Sequence, residues 1–265
     1  MRIISLMPAA TEIVCALGLS PPAGGLVGVS DDSDYPPEVR KLPKIVTSTL
    51  PQNLASREID NLVRAAKHRG VSIFHVDQDS LKKLKPNLIL SQELCEVCAI
   101  GTSEIKKAAR ILKNSVQIVS LDPQSISDIL ENIRMIGELT GKEKEAEKLV
   151  RRLRKRIDKI SWGLSPCPRI LIIEWLDPIM VAGHWVPEMV EIAGGINLIS
   201  KKGETSKRIT WEEVLEADPD ILIIAPCGFD IVQTKKEISS ITSKKGYTDF
   251  KAVRNNQVYY IDGNA

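Results

Sequence analysis

Two cysteines and one histidine are the residues best suited to metal or redox chemistry. Cys95 and Cys98 form a Cys-x-x-Cys motif that follows the predicted strand Leu88–Ser91, and a thioredoxin-type dithiol opens a helix after a strand. Structural zinc normally needs four ligands, and no second Cys-x-x-Cys or paired histidine follows at suitable spacing. His184 is a further candidate metal ligand. Packing roles for the cysteines and a hydrogen-bonding role for the histidine are the alternatives.

Aromatic side chains are scarce, at 4% of the chain, yet several fall in predicted loops that follow strands. These residues are Tyr35, Trp175, Trp185 and Phe229. In open parallel sheets ligands bind outside the carboxyl ends of the strands, so the rings are predicted to line one crevice. Such walls suit a large, flat, partly apolar ligand. The alternative is that the rings complete the cores.

The same strand-end loops supply candidates that would contact a ligand or fix its orientation. Hydrogen bonds are expected from Thr11, Gln92, Asp177 and Asp230, with Pro8 and Ala9 beside Thr11 in the first loop. Enzyme signatures such as G-x-S-x-G, a Walker loop, G-x-G-x-x-G or H-E-x-x-H are absent. The chain is therefore predicted to be a non-enzymatic binder that needs no cofactor.

Length and charge narrow the class of protein further. The 265 residues suit two lobes of roughly 100–150 residues each. Lys and Arg total 36 against 34 Asp and Glu, which leaves +2 and argues against nucleic acid as a partner. We expect a monomer. No run of eighteen apolar residues is present, so no transmembrane helix is expected.

Short apolar strands alternate with amphipathic helices, which predicts βαβ units and two Rossmann-like α/β lobes. The predicted strands are Arg2–Leu6, Leu26–Val29, Ile73–Val76, Leu88–Ser91, Val116–Ser120, Arg169–Trp175, Ile221–Ala225 and Val258–Ile261. The predicted domains are residues 1–124, a connecting helix over 125–161, and residues 162–265. A segment resembling Leu81–Leu90 recurs at Val214–Ile223, with a helix stopped by Pro-Asx before a strand, which suggests two similar lobes.

The connecting segment is predicted to be one long helix, because only Gly137 and Gly141 weaken its pattern. A helix of ~30 residues would span ~45 Å. Its run Lys148–Arg156 is strongly basic. A solvated helix face and a surface for an anionic partner are the two interpretations.

Several motifs together resemble the cobalamin-binding branch of the helical-backbone (class III) substrate-binding proteins. They are Ile4–Glu12 (ISLMPAATE), Asp34–Pro36, Gln92–Ala99 with its two cysteines, Gly183–Glu188 (GHWVPE), Ala193–Asn197 (AGGIN) and Leu215-x-x-x-Pro219-Asp220. The resemblance covers essentially the whole chain. Ser33 stands where this branch often has cysteine.

The resemblance implies two lobes joined by a single long helix, a helical-backbone metal receptor that clasps a ligand between them. Ligands in the wider group include cobalamin, haem, ferric siderophores and metal ions, and the usual role is delivery to an ABC importer. Family members dock on the permease through one acidic residue on each lobe, and Glu104 and Glu212 match by position. Ordinary helix N-terminal acids are the alternative.

The location and the class of protein each have a rival interpretation. As the sequence begins, it predicts a cytoplasmic protein, or an extracytoplasmic one if a leader was removed. The resemblance also implies a closing helix after the last strand, which is expected to be missing here. The rival function is a cytoplasmic metal- or thiol-dependent enzyme or cofactor handler on the same scaffold, using Cys95, Cys98 and His184.

Overall fold

The computed structural model describes residues 1–22, 24–92, 116–160 and 166–263. These residues form two sheets with helices, which confirms the predicted α/β class. The chain divides into two compact units, each made of more than one segment. Unit 1 comprises Met1–Pro51, Val63–Pro123 and Ile129–Leu153, and unit 2 comprises Gln52–Leu62, Gln124–Asp128 and Arg154–Ala265. The division into residues 1–124, 125–161 and 162–265 stays a prediction.

Unit 1 contains a six-stranded sheet in the order β4-β3-β2-β1-β5-β6. Its strands are β1 (Ile3–Ser5), β2 (Leu26–Ser30), β3 (Lys44–Ser48), β4 (Phe74–Val76), β5 (Leu88–Ser91) and β6 (Gln117–Ser120). All neighbours are parallel except β3 and β4. The sequence did not predict β3, because Lys44 and Thr47 interrupt its apolar run.

The helices associated with this sheet cover both of its faces. They are α1 (Pro8–Val14), which continues into a π-helical turn (Cys15–Leu19), and α3 (Gln78–Leu84). The helix α2 (Ser56–His68) begins in the Gln52–Leu62 segment of unit 2 and ends in unit 1. Successive strand residues alternate between two cores: Ile3 packs with the cluster that includes α1, and Ile4 packs with the cluster that includes Leu81 of α3. This alternation follows from the two-residue period of a strand.

The segment between the sheets is not one continuous helix, and that prediction is wrong. Two helices occupy it, α4 (Ile126–Thr140) and α5 (Glu143–Ile160). Gly141 adopts φ +68°, and the Lys142 N–H donates to Gly137 O at 2.7 Å, which closes α4 as glycine commonly does. The 18-residue helix α5 is thus the long helix of this region.

The two helices pack against each other through a small-residue contact. A side chain at Gly137 would place its Cβ 2.6 Å from Ala146 Cβ, and Ile133 and Leu149 lie in the same buried cluster. Arg134 of α4 also pairs with Glu147 of α5. The apolar periodicity of residues 126–160 was therefore correct, but it marks two helices buried against the same core.

Gly137→Leu should destabilise unit 1, because Leu adds volume where two helix backbones approach closely. We expect the free energy of unfolding to fall by about 2–3 kcal/mol, the range for overpacking a core. Glu138→Leu adds a similar side chain at the exposed neighbouring position and should change stability by less than about 0.5 kcal/mol. Urea unfolding followed by far-UV circular dichroism measures both, and equal effects would contradict the close contact.

Unit 2 contains the second sheet, in the order β10-β8-β7-β11-β12 with β9 beside β7. Its strands are β7 (Arg169–Trp175), β8 (Met180–Val181), β9 (Ile196–Asn197), β10 (Lys207–Arg208), β11 (Ile221–Ile224) and β12 (Val258–Tyr260). Its helices include α6 (Val186–Ile192), α7 (Trp211–Ala217), α8 (Ile231–Glu237), α9 (Ser239–Thr242) and α10 (Lys251–Arg254). The two-residue strands were not predicted, because they are too short to show a period.

The similar segments Leu81–Leu90 and Val214–Ile223 make the same kind of hydrogen bonds in the two units. In unit 1, Asn87 Oδ1 accepts from the Arg2 N–H at 2.9 Å, and Arg2 Nε donates to Leu84 O at the end of α3. In unit 2, Asp220 Oδ2 accepts from the Arg169 N–H at 2.9 Å, and Arg169 Nη2 donates to Ala217 O at the end of α7. Each arginine therefore joins the start of the first strand to the end of the helix before its parallel neighbour.

Within the described ranges, no helix combines the length and apolar character needed to cross a membrane.

Candidate functional site

The strand order of each unit defines one edge at which a ligand is expected. In unit 1 the chain moves from β1 outward through β2 and β3, then returns to β5 on the other side of β1. In unit 2 it moves from β7 to β8 and later returns to β11 on the other side of β7. A crevice forms outside the carboxyl ends of the strands at such a switch point. In unit 1 the predicted site residues follow β1, β2 and β5. In unit 2, Trp175, Asp177 and Phe229 lie at or after the carboxyl ends of the parallel strands β7 and β11. His184 and Trp185 follow β8, which is antiparallel to β7, so the carboxyl end of β8 points toward the opposite edge of the sheet.

The loops at the switch point of unit 1 are held by buried hydroxyl groups. Thr11 is fully buried, and its Oγ1 lies 2.9 Å from Ser5 Oγ and 2.9 Å from Ser33 Oγ. Ser33 Oγ in turn lies 2.8 Å from Ser30 Oγ. Thr11 was predicted to donate a hydrogen bond to a ligand, but its hydroxyl instead joins α1 to the loop after β2. Pro8 and Ala9, in the first turn of α1, are exposed.

Lys44 is a supporting residue that the sequence did not indicate. Its Nζ donates to Ser30 O at 3.2 Å and to Ser33 O at 2.9 Å, so it fixes the start of the loop that carries Tyr35. Burial lowers the pKa of Lys44, and the nearby Asp31 carboxylate opposes that shift. Only the position of Lys44 at the start of β3 could have revealed it, and β3 itself was not predicted.

The remaining predicted residues of unit 1 differ in exposure. The side chain of Tyr35 is 62% exposed at the end of its loop. Gln92, directly after β5, is half-buried. Cys95, Cys98 and Glu104 lie outside the described residues. Among the residues that the structure describes, no group of three or more His, Cys, Asp and Glu side chains is placed to hold a metal ion.

An aromatic pair marks the switch point of unit 2. Trp175 is the last residue of β7, and Phe229 follows the adjacent parallel strand β11. Their ring centroids are 5.3 Å apart with an interplanar angle of 51°, a favourable tilted geometry. Phe229 is buried and Trp175 is half-buried, so the phenylalanine supports the tryptophan while part of the indole stays accessible. The sequence placed both rings correctly at strand ends.

Asp177, two residues after Trp175, is paired with an arginine that the sequence analysis missed. Arg57 Nε donates to Asp177 Oδ2 at 2.6 Å, and Arg57 Nη2 donates to Oδ1 at 2.9 Å. The hydrogen bond that Arg57 donates to the Asp177 carboxylate raises the pKa of Arg57. Arg57 lies in Gln52–Leu62, a segment of unit 2 that is distant from Asp177 in sequence. No local pattern could have predicted this pairing.

The segment that carries Arg57 makes further polar contacts within unit 2. The Ser56 N–H donates to Glu237 Oε2 at 2.8 Å, and Gln233 Nε2 donates to Leu54 O at 3.3 Å. Arg208 on β10 pairs with Asp60 of α2. Asp230, another predicted ligand residue, caps α8 by accepting from the Gln233 N–H at 2.6 Å.

His184 occupies a constrained turn before α6. Its φ is +55°, its N–H donates to Glu204 O at 2.6 Å, and its Nδ1 lies 3.1 Å from Gln124 Oε1. If Nδ1 carries the proton toward that amide oxygen, Nε2 is the basic nitrogen. Burial lowers the pKa of His184, so the imidazole is neutral at pH 7. Trp185, whose ring centroid lies 5.9 Å from the imidazole, precedes the first turn of α6 and is half-buried.

A glutamate within the same motif also holds this part of the chain. Glu188 Oε2 accepts from the Ile126 N–H at 2.7 Å, at the start of α4, and Glu188 Oε1 accepts from Lys202 Nζ at 2.6 Å. Glu188 therefore caps a helix and does not offer a free carboxylate. Glu212, the predicted docking residue of unit 2, is exposed in the first turn of α7.

The lowered pKa of His184 predicts a pH-dependent stability. The unfolded chain takes up a proton near the ordinary histidine pKa of about 6.5, whereas the folded chain takes it up only at lower pH. The stabilising contribution is therefore present above about pH 6.5 and is lost as pH falls below it. His184→Asn, which tolerates the positive φ, should show a smaller loss of stability between pH 7.5 and 5.5 in urea unfolding. An equal loss in both proteins would exclude His184 as the source.

Comparison with known protein families gives a match over almost the whole chain. The family model of the periplasmic binding proteins matches residues 3–265. The chain belongs to the periplasmic binding protein family.

Individual members of the family resemble the chain at low identity and high coverage. An uncharacterized ABC transporter substrate-binding lipoprotein, YvrC of Bacillus subtilis, is 26% identical over 98% of this chain and 72% of its own length. A vitamin B12-binding protein of Vibrio cholerae is 24% identical over 83% of this chain and 69% of its own. The periplasmic heme-binding protein RhuT from Roseiflexus sp. RS-1 superposes with a TM-score of 0.72 at 22% identity, covering 98% of this chain and 89% of that one. The last likeness shows the shared fold.

Proposed function

We propose that this periplasmic binding protein is the substrate-binding component of an ABC importer and that its ligand is a corrinoid or a related metal chelate. The family match over residues 3–265 supports the transport role. The names of similar proteins, which include a vitamin B12-binding protein and a heme-binding protein, support a metal chelate as the ligand. The chelate is the transported cargo and not a cofactor of a reaction.

The observation that carries the choice of ligand class is the Trp175–Phe229 pair at the switch point of unit 2. A half-buried indole backed by a buried ring offers a flat apolar wall, which suits a planar macrocycle. Asp177 lies two residues from Trp175 in sequence, and the side chain of its partner Arg57 is 71% exposed. Apolar area would supply affinity, and the paired charges would orient polar groups at the edge of the macrocycle.

His184 has a defined role in this proposal. The hydrogen bond to Gln124 and the neutral state of the ring make Nε2 a nitrogen that can bind the metal of a chelate. Loss of this nitrogen should therefore change the absorption spectrum of the bound chelate and not only its affinity. An unchanged spectrum in His184→Asn would assign the imidazole to the turn alone.

Delivery to a permease requires an accessible docking residue on the protein. Glu212 is exposed, and the cap of α7 is made by Thr210 and Glu213, so Glu212 is not needed to begin the helix. We propose Glu212 as the docking acid of unit 2 and, by the family pattern, Glu104 as its counterpart. In this role the protein would work outside the cytoplasm.

Spectral titration tests the proposal directly. The purified chain is titrated with cobalamin, cobinamide, haem and ferric siderophores while absorbance and tryptophan fluorescence are recorded. We expect saturable one-to-one binding of at least one chelate, with fluorescence quenching that is reduced in Trp175→Phe. Absence of binding to every chelate would overturn the ligand class. Tightly bound stoichiometric metal that is lost in Cys95→Ser would favour the metal-dependent enzyme instead.

A further inference from the structure

The outward face of α5 carries a row of basic side chains. They are Lys148, Arg151, Arg152, Lys155 and Arg156, named here the basic stripe, and all five are exposed. At about 100° per residue these positions fall within an arc of about 140° on the helix surface. The run from Lys148 to Arg156 contains no acidic residue. The stripe is thus a continuous patch of one sign on one element.

The apolar side of the same helix points the other way. Ala146, Leu149 and Val150 are buried, and Leu153 packs against the same core. At about 100° per residue their directions centre roughly opposite the basic stripe. The apolar side chains are therefore already used for packing, and no aromatic residue is present between residues 143 and 160. A partner of the stripe must be attracted by charge and not by insertion of apolar groups.

The stripe is not neutralised by its surroundings in the part of the chain that the structure describes. The ion pairs at the beginning of α5 involve other residues, since Glu147 pairs with Arg134 and Glu145 with Lys142. None of the five stripe residues forms a salt bridge with a described residue. Five like charges held close together repel one another, so an anionic surface that neutralises them would be bound favourably.

We propose that the basic stripe docks this protein on an anionic membrane surface. The inference rests on the proposed function, because delivery to an importer brings the protein to a bilayer. A helix face about 12 Å long from Lys148 to Arg156 can contact several lipid headgroups at once. Each Lys or Arg near an anionic leaflet contributes about 1 kcal/mol, and the attraction falls off within a Debye length.

Nucleic acid is the other macromolecule with a dense negative charge, and the observations favour it less. The chain has a net charge of only +2, and the stripe lacks the interleaved aromatic residues on which bases stack. A flat headgroup layer needs neither feature. Binding to nucleic acid is therefore kept as an outcome of the test.

The test measures sedimentation of the full chain with vesicles of phosphatidylcholine alone or mixed with phosphatidylglycerol. Binding is expected only to the mixed vesicles, at low salt, and should disappear at about 1 M salt, where the Debye length is about 3 Å. The combined variant Lys148→Gln, Arg151→Gln, Arg152→Gln and Lys155→Gln should lower the partition coefficient at least about 100-fold.

The matched control removes the same charge from exposed residues elsewhere. Lys41→Gln, Arg64→Gln, Lys83→Gln and Lys236→Gln are combined in one chain and should keep most of the vesicle binding. Equal losses in the two variants would overturn the proposal, as would tighter binding of the wild type to a short DNA duplex than to the vesicles. Circular dichroism confirms that both variants are folded.

Chelate titration of the same variants separates this inference from the proposed function. The stripe variant should bind the chelate as the wild type does, because the stripe is not among the proposed ligand residues. If the wild-type chain binds a chelate but no vesicles, only the membrane role of the basic stripe is wrong. If the wild-type chain binds vesicles but no chelate, the proposed function is wrong and the membrane role of the basic stripe is retained.

Discussion

Trp175→Ala is expected to weaken chelate binding by about 30- to 100-fold. Truncation removes an aromatic wall worth about 2–3 kcal/mol of apolar contact with a bound macrocycle. It also uncovers the ring of Phe229, whose centroid lies 5.3 Å from the indole centroid, and leaves a gap in front of that ring. The dissociation constant from absorbance titration measures the effect.

Trp211→Ala is the matched control for that prediction. Trp211 is also an aromatic residue of unit 2, but its ring packs edge-on against Phe250, with centroids 5.5 Å apart, in the core cluster. It should cost stability while leaving the affinity of the folded protein within about twofold. If Trp211→Ala weakens binding as strongly as Trp175→Ala, the effect is general destabilisation and the aromatic wall is wrongly assigned.

Gly183→Ala is expected to lower the free energy of unfolding by about 2–4 kcal/mol, the range for a backbone clash with lost hydrogen bonds. A Cβ at this position would lie 2.4 Å from Glu204 O and 2.5 Å from Ser206 N. Both are backbone atoms, so the backbone of Glu204–Ser206 must move to make room for the added methyl group. That movement would disturb the hydrogen bond from the His184 N–H to Glu204 O and displace the imidazole. Chelate affinity should therefore fall along with stability.

Gly203→Ala is the control, because Gly203 directly precedes the Glu204–Ser206 segment that Gly183 contacts. Gly203 has φ +79° but no atom within 4 Å of an added Cβ. Its substitution should cost only about 1–2 kcal/mol for the left-handed backbone. Chemical denaturation gives both values, and a loss in Gly183→Ala no larger than that in Gly203→Ala would contradict the clash.

Much of the fold could be predicted because its strands are short, apolar and locally bounded. Leu88–Ser91 and Arg169–Trp175 were predicted with the observed ends, since Pro-Asx or Pro precedes each and the apolar run is continuous. The helix Trp211–Ala217 ends just before Pro219-Asp220, as the Pro-Asx signal predicted. The error over residues 126–160 has a local cause: apolar periodicity continues through Gly141, and only the positive φ of that glycine shows that the chain turns there.

The candidate site could be predicted in part. Strand-end position was enough to find Trp175 and Phe229, because parallel neighbours bring their carboxyl ends together. It was not enough to predict what the polar side chains do: Thr11 is buried in a hydroxyl network and Asp230 caps a helix. Partners distant in sequence, such as Arg57 for Asp177, depend on tertiary structure that no local pattern encodes.

Unit 2 includes Gln52–Leu62 and Gln124–Asp128 from the first half of the chain. This composition limits where the protein can be truncated. A fragment that starts after residue 160 would lose Arg57, the partner of Asp177, and Gln124, the partner of His184. It would also leave the start of α4 without its cap from Glu188 on the complementary piece. A fragment of either half should therefore be less stable than the same residues in the intact chain, and ligand binding should be measured on the intact chain.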